Sequence, residues 1–269
     1  MSDSDELDRL VEAVLKRAKY RNLCADLVRN VAGRELAARH NWREALKATK
    51  SKLHQVAAAY LDRRMDYESW LHRLESATKC GDGETLRALC REVMGTQSST
   101  RERLGILDSF YQVTLHGLTP IRSVLDIACG LNPLAIPWMP LASDVEYFAY
   151  DVYADMIGFV GAFLRAVGVR GQAIAIDVTQ SAPKQRADVA LILKSLPCLE
   201  QLDRSVGRML IESVQAQHLL VSFPIRSLGG REKGMAKNYE QRFRQLVEGE
   251  SWSVQRFEFT NELAFVVSK

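Results

Sequence analysis

No stretch constrains the fold more than Arg122-Ser-Val-Leu-Asp-Ile-Ala-Cys-Gly-Leu-Asn-Pro-Leu-Ala135. Val124, Leu125 and Ile127 are apolar enough for a buried parallel strand, read as ending at Asp126, and Gly130 permits the sharp turn that must follow. Pro133 opens a helix, because proline's missing N–H would be an orphan at the first helical position anyway. Backbone N–H groups and a helix N-terminus then face a ligand.

Two further apolar runs close on acid. Val145 to Tyr150 ends in Asp151, at about the distance past the turn where an open α/β fold puts the carboxylate that binds ribose hydroxyls, and the run from Ala173 ends in Asp177. One such Asp is equally well a helix N-cap or a turn former. Three in successive strand–helix units favour a crevice. A dinucleotide fingerprint wants three glycines, whereas this turn has Gly130 with Ala128 and Asn132 beside it. A pyrophosphate is a poor guest there; S-adenosylmethionine, with a ribose and an adenine but no phosphate, fits better.

Up to about Leu115 the chain reads as helix after helix. Leu7, Leu10, Val11, Val14 and Leu15 form one apolar stripe, and Trp42, Ala45, Leu46, Leu53, Val56, Ala57 and Tyr60 form another. Helical patterns continue over Ser69 to Lys79 and Glu84 to Val93, and Ser99-Thr-Arg-Glu102 resembles a capping box opening a helix to about Leu115. Gly117 to Arg122 is the boundary. Beyond it strands near 123–128, 145–150, 172–177, 188–193 and 218–223 alternate with helices near 133–141, 153–167 and 203–216, which implies a doubly wound parallel sheet. Ser253 to Thr260 and Leu263 to Ser268 read as a final hairpin around Asn261-Glu262. Parallel strands followed by a hairpin match the methyltransferase version of this fold. The expected organisation is an all-helical domain over 1–115, to which the charge and the family resemblance below give an RNA- or ribosome-binding role, then a class I S-adenosylmethionine-dependent methyltransferase domain, Rossmann-like α/β, over 116–269.

Charge is polarised. Lys16 to Arg64 holds thirteen Lys/Arg against four Asp/Glu, a local +9 within a total of +3, so the remainder carries −6. A basic patch of this kind attracts polyanions, and Lys16, Arg17, Lys19 and Arg21 are its leading candidates for RNA contact. The five cysteines are odd in number, widely spaced and without a C-x-x-C pair, as in a reduced cytoplasmic protein. No apolar run approaches the roughly 18 residues of a membrane span, and five dispersed histidines offer no metal cluster.

Several blocks carry a resemblance: Leu53-His54, Ala59-Tyr60, Ser99-Thr-Arg-Glu-Arg-Leu104, Val124-Leu-Asp-Ile-Ala-Cys-Gly-Leu-Asn-Pro-Leu-Ala135, Leu193-Lys-Ser-Leu-Pro197 and Ser222-Phe-Pro-Ile-Arg-Ser-Leu-Gly-Gly-Arg-Glu-Lys-Gly234. Together they look like the aminoglycoside-resistance 16S ribosomal RNA methyltransferases. The resemblance implies methyl transfer from S-adenosylmethionine to N7 of one decoding-site guanosine, on 16S rRNA within the assembled 30S subunit, which blocks 4,6-disubstituted deoxystreptamine drugs. Carried over by position, the cofactor pocket would take Tyr60, Ser99, Arg103, Ala128, Asp151, Asp177, Val178 and Leu193, beside the Asp126 and Gly130 of the turn. Lys194 and Arg231 match positions important to substrate handling. Gln97 stands where many relatives have His. A monomer, without metal or membrane attachment, is the expectation.

Guanine N7 carries an unprotonated lone pair at neutral pH, so alignment and charge placement suffice without a general base. The product guanine is cationic. A carboxylate would stabilise it, and Lys194 is better read as gripping O6 or a phosphate at the crevice mouth. Lys194 just past the fourth strand could instead be a surface lysine, and Arg231 and Lys233 part of a solvated Gly-rich connector; the crevice face favours function for all three. Cys129 and Cys198 read as packing residues. A non-catalytic RNA-binding module would keep the basic helices without the pocket, and a small-molecule methyltransferase would keep the pocket without the patch.

Overall fold

The computed structural model describes residues 3–39, 41–55, 65–225 and 235–269. Helices come first: α1 (Asp3–Leu15), α2 (Ala25–Ala38), α3 (Trp42–Leu53), α4 (Tyr67–Lys79), α5 (Gly83–Met94), α6 (Ser98–Arg103) and α7 (Leu107–Leu115). Short polar side chains start three of them. Asn41 accepts from the amides of Arg43 and Glu44, Asp66 from Ser69 and Asp82 from Thr85, each satisfying an orphan N–H of a first turn.

The sheet follows, from β1 (Ile121–Ile127), β2 (Leu141–Asp151), β3 (Arg170–Ala175), β4 (Ala187–Leu193), β5 (Ala216–Pro224), β6 (Ser253–Glu258) and β7 (Glu262–Ser268). Its strand order is β3-β2-β1-β4-β5-β7-β6. The first five strands run parallel, and β7 inserts antiparallel between β5 and β6. Crossovers are α8 (Ala154–Ala166), α9 (Leu196–Leu199) with α10 (Val206–Ser213), and α11 (Met235–Leu246). The order reverses between β1 and β4, and open α/β sheets bind ligands beyond the strand carboxyl ends at such a point.

Alternate strand residues supply two cores. Val124, Tyr147 and Val266 face a cluster shared with Leu10, Val28, Val93, Phe110 and Phe163, so the leading helices and one sheet face bury each other. Leu125, Ile192, Val221 and Phe265 face the other, with Leu210, Phe223 and Phe243. Phe243 stacks on Phe265 at 4.2 Å between ring centroids. Burying that one side chain stabilises the docking of α11 by roughly 2–3 kcal/mol, enough to hold a helix whose other residues are mostly polar.

The parallel sheet and terminal hairpin agree with the sequence expectation, while several elements differ. The helix expected over 133–141 is a 3-10 helix, Asn132–Trp138, because Pro137 inside it has no N–H for an α-helical ladder. β2 starts at Leu141, and β3 stops at Ala175 so that Asp177 lies past its end. The capping box does not form: Gln97 is the N-cap of α6, Ser99 lies inside it, and the expected long helix breaks before Leu107. The helix expected over 203–216 shortens to α10, and α11 was not foreseen. Lys16, Arg17, Lys19 and Arg21 lie in the turn between α1 and α2 and not on a helix. Val56, Ala57 and Tyr60 of the second stripe fall outside the described residues. Among those residues no helix is long and apolar enough to cross a membrane, and no group of three or more His, Cys, Asp or Glu could hold a metal ion.

Candidate functional site

A cleft opens beyond the carboxyl ends of β1, β2 and β4, with about 950 Å³ of space including its solvent-open mouth. After β1 the backbone enters the left-handed region at Ala128 (φ 53°) and again at Gly130 (φ 53°). Alanine seldom adopts that conformation, and such strain persists where surroundings over-determine it. Here they do. Cys129 N donates to Tyr150 O at 2.9 Å, Gly130 N to Asp151 Oδ2 at 2.8 Å, and Leu131 N to Gln97 Oε1 at 2.8 Å. A Cβ on Gly130 would stand 2.4 Å from that same Gln97 oxygen, so a side chain there would displace the Gln97 amide as well as strain φ.

Two carboxylates on this side are held by neutral donors. Asp151 also accepts from Val152 N at 2.7 Å; burial raises its pKa, opposed by the amides of Gly130, Val152 and Tyr153. Asp177 Oδ1 accepts from the amide and hydroxyl of Thr179 at 3.0 and 2.6 Å. Its Oδ2 accepts from Asn30 Nδ2 of α2 at 2.9 Å.

The β4 side is built from buried ions. Lys194 is also left-handed (φ 58°), and its ammonium turns inward to Glu102 at 2.9 Å, Glu262 at 3.3 Å and the Ser99 carbonyl at 3.4 Å. Its side chain is 3% exposed, and that of Glu262 is 0%. Arg103 grips both Glu262 oxygens, the nearest at 2.7 Å, and donates to Asn132 Oδ1 at 2.9 Å. The Tyr111 hydroxyl donates to the same Asn132 oxygen. Asn132 Nδ2 and Tyr147 Oη then donate to Asp126 Oδ2 at 2.9 and 2.7 Å, while Asp126 Oδ1 has no hydrogen-bond partner among the described residues. Burial pushes the Asp126 carboxyl up to about 6, against those two hydrogen bonds and Arg103. Burial acts the same way on Glu262, but Arg103 and Lys194 outweigh it and hold that carboxyl below its ordinary value. Among the described residues, Asp151, Asp177, Arg103 and Lys194 line the cleft, with the carboxylates of Asp126, Glu102 and Glu262 packed behind them. That balance suits a ligand carrying positive charge.

The family model for the ribosomal RNA methyltransferase (FmrO) family matches residues 16–266. The chain belongs to that family. It is 39% identical to the 16S rRNA (guanine(1405)-N(7))-methyltransferase of Micromonospora echinospora, over 98% of this chain and 97% of that one. The enzyme of the same name from Serratia marcescens is 32% identical, over 96% of each. Among solved structures, 16S rRNA methyltransferase RmtF in complex with S-adenosyl-L-homocysteine superimposes with a TM-score of 0.82 at 30% identity, covering 100% of this chain and 99% of that one.

In this FmrO-family chain the cleft wall brings together Ser99, Arg103, Ala128, Gly130, Asp151, Asp177, Val178, Leu193 and Lys194. Asp126 lies beneath the wall, holding Asn132 and Tyr147, and so shapes the cleft from below. Tyr60, Arg231 and Lys233 fall outside the described residues. Lys194 departs from the expectation of a cation offered at the mouth, because two carboxylates draw its ammonium into the floor. Lys16, Arg17, Lys19 and Arg21 are exposed in the turn that enters α2, away from the wall itself. Cys129 and Cys198 line the cleft in addition to packing; burial holds the Cys129 thiol well above its ordinary pKa, and so protonated.

Sequence reasoning missed Gln97, Asn30, Asn132, Ser195 and Glu262 as parts of the site. Gln97 alone had left a signal, as the departure from the family's usual His. Glu262 falls by sequence at the apex of the expected hairpin, and nothing local marks it as the acid that closes an ion pair 159 residues away.

Proposed function

We propose that this chain methylates N7 of guanine 1405 in 16S rRNA, with S-adenosylmethionine as methyl donor, and so confers aminoglycoside resistance. The observation that carries the reading is a carboxylate-rich, single-glycine cleft at the strand-order reversal of a chain that matches the FmrO family nearly end to end. The donor set fits the cofactor. Asp151 would accept hydrogen bonds from ribose hydroxyls, Asp177 and Val178 would border the adenine, and Leu27, Leu199 and Leu202 add apolar wall. Ser99 and Arg103, both in the cleft wall, would border the amino-acid portion, and nothing in the turn demands a phosphate.

S-adenosylmethionine, when bound, supplies a methyl group made electrophilic by a sulfonium. The N7 lone pair takes that methyl as the carbon–sulfur bond breaks and its pair stays on sulfur in the neutral thioether product; no proton is removed, so the chain's residues have orientation, water exclusion and charge to provide. The excess of carboxylates stabilises positive charge as it passes to the purine. Lys194, neutralised by Glu102 and Glu262, adds no cation beside that purine and acts as a positioning residue at the end of β4. N7 faces the deep, narrow groove of A-form RNA, so the guanosine is reached by distortion or extrusion of the helix. Lys16, Arg17, Lys19, Arg21, Arg231 and Lys233 are the residues assigned to hold that RNA. The substrate in this reading is the assembled 30S subunit, bound by a monomer.

Reverse-transcription mapping of 16S RNA from cells with and without the protein tests the reading: a modification-dependent stop at the target guanosine is expected, together with drug protection. Its absence overturns the assignment. Neutralising Lys16, Arg17, Lys19 and Arg21 together should weaken subunit binding and flatten its salt dependence by about one unit of slope per lost phosphate contact. An unchanged slope would remove the turn from the interface.

A further inference from the structure

α2 and the turn that enters it touch the cleft at four separate places. At the entry, Cys24 N donates to Val152 O at 2.7 Å and Ala154 N to Asn22 O at 2.8 Å, so the backbone after β2 is tied to the backbone before α2. Further along, Leu27 lines the cleft. Asn30 Nδ2 then reaches Asp177 Oδ2 at 2.9 Å and Thr179 Oγ1 at 3.3 Å. Arg34 holds the far rim, with 3.1 Å contacts to both the Leu202 carbonyl and Asp203 Oδ2. Residues 27, 30 and 34 share one helix face, so a single rigid element spans the mouth of the pocket.

That element continues directly from the basic turn. Lys16, Arg17, Lys19 and Arg21 are exposed and immediately precede the Asn22–Cys24 tie. Lys16 pairs with Glu12 at 2.7 Å, but with side chains 70% and 63% exposed the pair is weak and yields readily to a phosphate. A polyanion seated on the turn therefore bears directly on the segment that is also the cofactor wall. Of the polar links, Asn30 alone reaches one of the carboxylates assigned to the cofactor.

We infer that α2 couples the two binding events, with Asn30 as the positioning residue that transmits the coupling: the small subunit and the cofactor each bind more tightly when the other is present. This rests on the proposed function. Coupling of this kind is reciprocal, and typical couplings change affinity by roughly fivefold or more.

The test is equilibrium dialysis of labelled S-adenosylhomocysteine against the full-length protein, alone and with saturating 30S subunits. The parent protein should bind the probe at least about fivefold more tightly on the subunit. Asn30→Ala should bring that ratio close to one while leaving subunit binding without cofactor unchanged, a separation that general destabilisation of α2 would not produce. Asn30→Ser, a smaller change on the same half-buried position, should do likewise and stands in if the alanine variant folds poorly. A ratio of one in the parent overturns the coupling alone. A ratio kept in both variants removes Asn30 as its carrier. Failure of the parent to bind subunits at all overturns the functional assignment, and the coupling with it.

Discussion

The two sides of the cleft floor use carboxylates for opposite ends. Towards β2 and β3, Asp151 and Asp177 are held by amides, a hydroxyl and Asn30, all neutral. Towards β4 and β7, Glu102 and Glu262 are held by Lys194 and Arg103. A carboxylate fixed by neutral donors keeps its charge and spare lone pairs for a ligand, whereas one locked to a buried cation has spent both on the protein. The first side is therefore a binding surface and the second a scaffold.

The sharpest way to break this distinction is Glu262→Ala, which leaves Arg103 buried without its ion-pair partner and Lys194 with Glu102 alone. Removing one partner of a buried pair costs about 3–5 kcal/mol, so urea unfolding should show a large loss of stability at neutral pH. A loss below about 1 kcal/mol, typical of exposed pairs, would show the floor to be wetter than its burial indicates.

Next is a pH experiment in which two acids pull in opposite directions. Asp126, raised from 3.8 to about 6, binds a proton more readily when folded, so its contribution to stability is full below the unfolded pKa and lost as pH rises through about 6. Glu262, lowered, contributes above the ordinary carboxylate range and loses that contribution as pH falls. Asp126→Asn keeps an acceptor for Asn132 and Tyr147 without the charge. It should stabilise the protein at pH 7 by at most about 3 kcal/mol, with the gain vanishing towards pH 4. A gain independent of pH would mean that Asp126 is not the titrating group.

On the binding side, Asp151→Ala should lose on the order of 1.5–3 kcal/mol of S-adenosylhomocysteine affinity by calorimetry, the range for hydrogen bonds to a charged partner. Unchanged affinity would sink the ribose assignment. The smallest effect should come from Gln97→Ala, which frees the Leu131 amide and slackens the Gly130 turn at a cost of about 1 kcal/mol. Because Gln97 leans over the binding side, cofactor affinity should fall with thermal stability; a change in stability alone would move it to the scaffold.

The binding side was the legible one. Asp126, Gly130 and Asp151 share one strand–turn–helix unit and the strand beside it, where apolar runs and a lone glycine announce a buried strand and a tight turn. The third acid was found although β3 ends before it, since Asp177 belongs to the loop and not to the strand. The scaffold was mostly hidden. Lys194 was noticed for its place after a strand, but the direction of its side chain depends on Glu102 and Glu262, two carboxylates contributed by other elements. Ser99 and Glu102 satisfy a local capping pattern, and tertiary pairing overrode it. The basic residues from Lys16 to Arg21 were counted correctly as charge and misread as helix, because the pull of the Asn22–Cys24 backbone towards Val152 and Ala154 is not written in their own spacing.

One consequence of the Arg103–Glu262 pair belongs to the time course of folding. The partners are 159 residues apart, and synthesis delivers the arginine long before the glutamate. Until β7 slots between β5 and β6, the guanidinium has no counter-charge for which to leave water, so the segment carrying it must wait solvated while the leading helices and parallel strands assemble around the gap. Long-range closures of this kind slow folding. Of the seven strands of the sheet, the one that comes last in chain order is thus the one that lets the cleft dry out, and a chain still growing on a ribosome holds no finished pocket for the cofactor until that strand is in place.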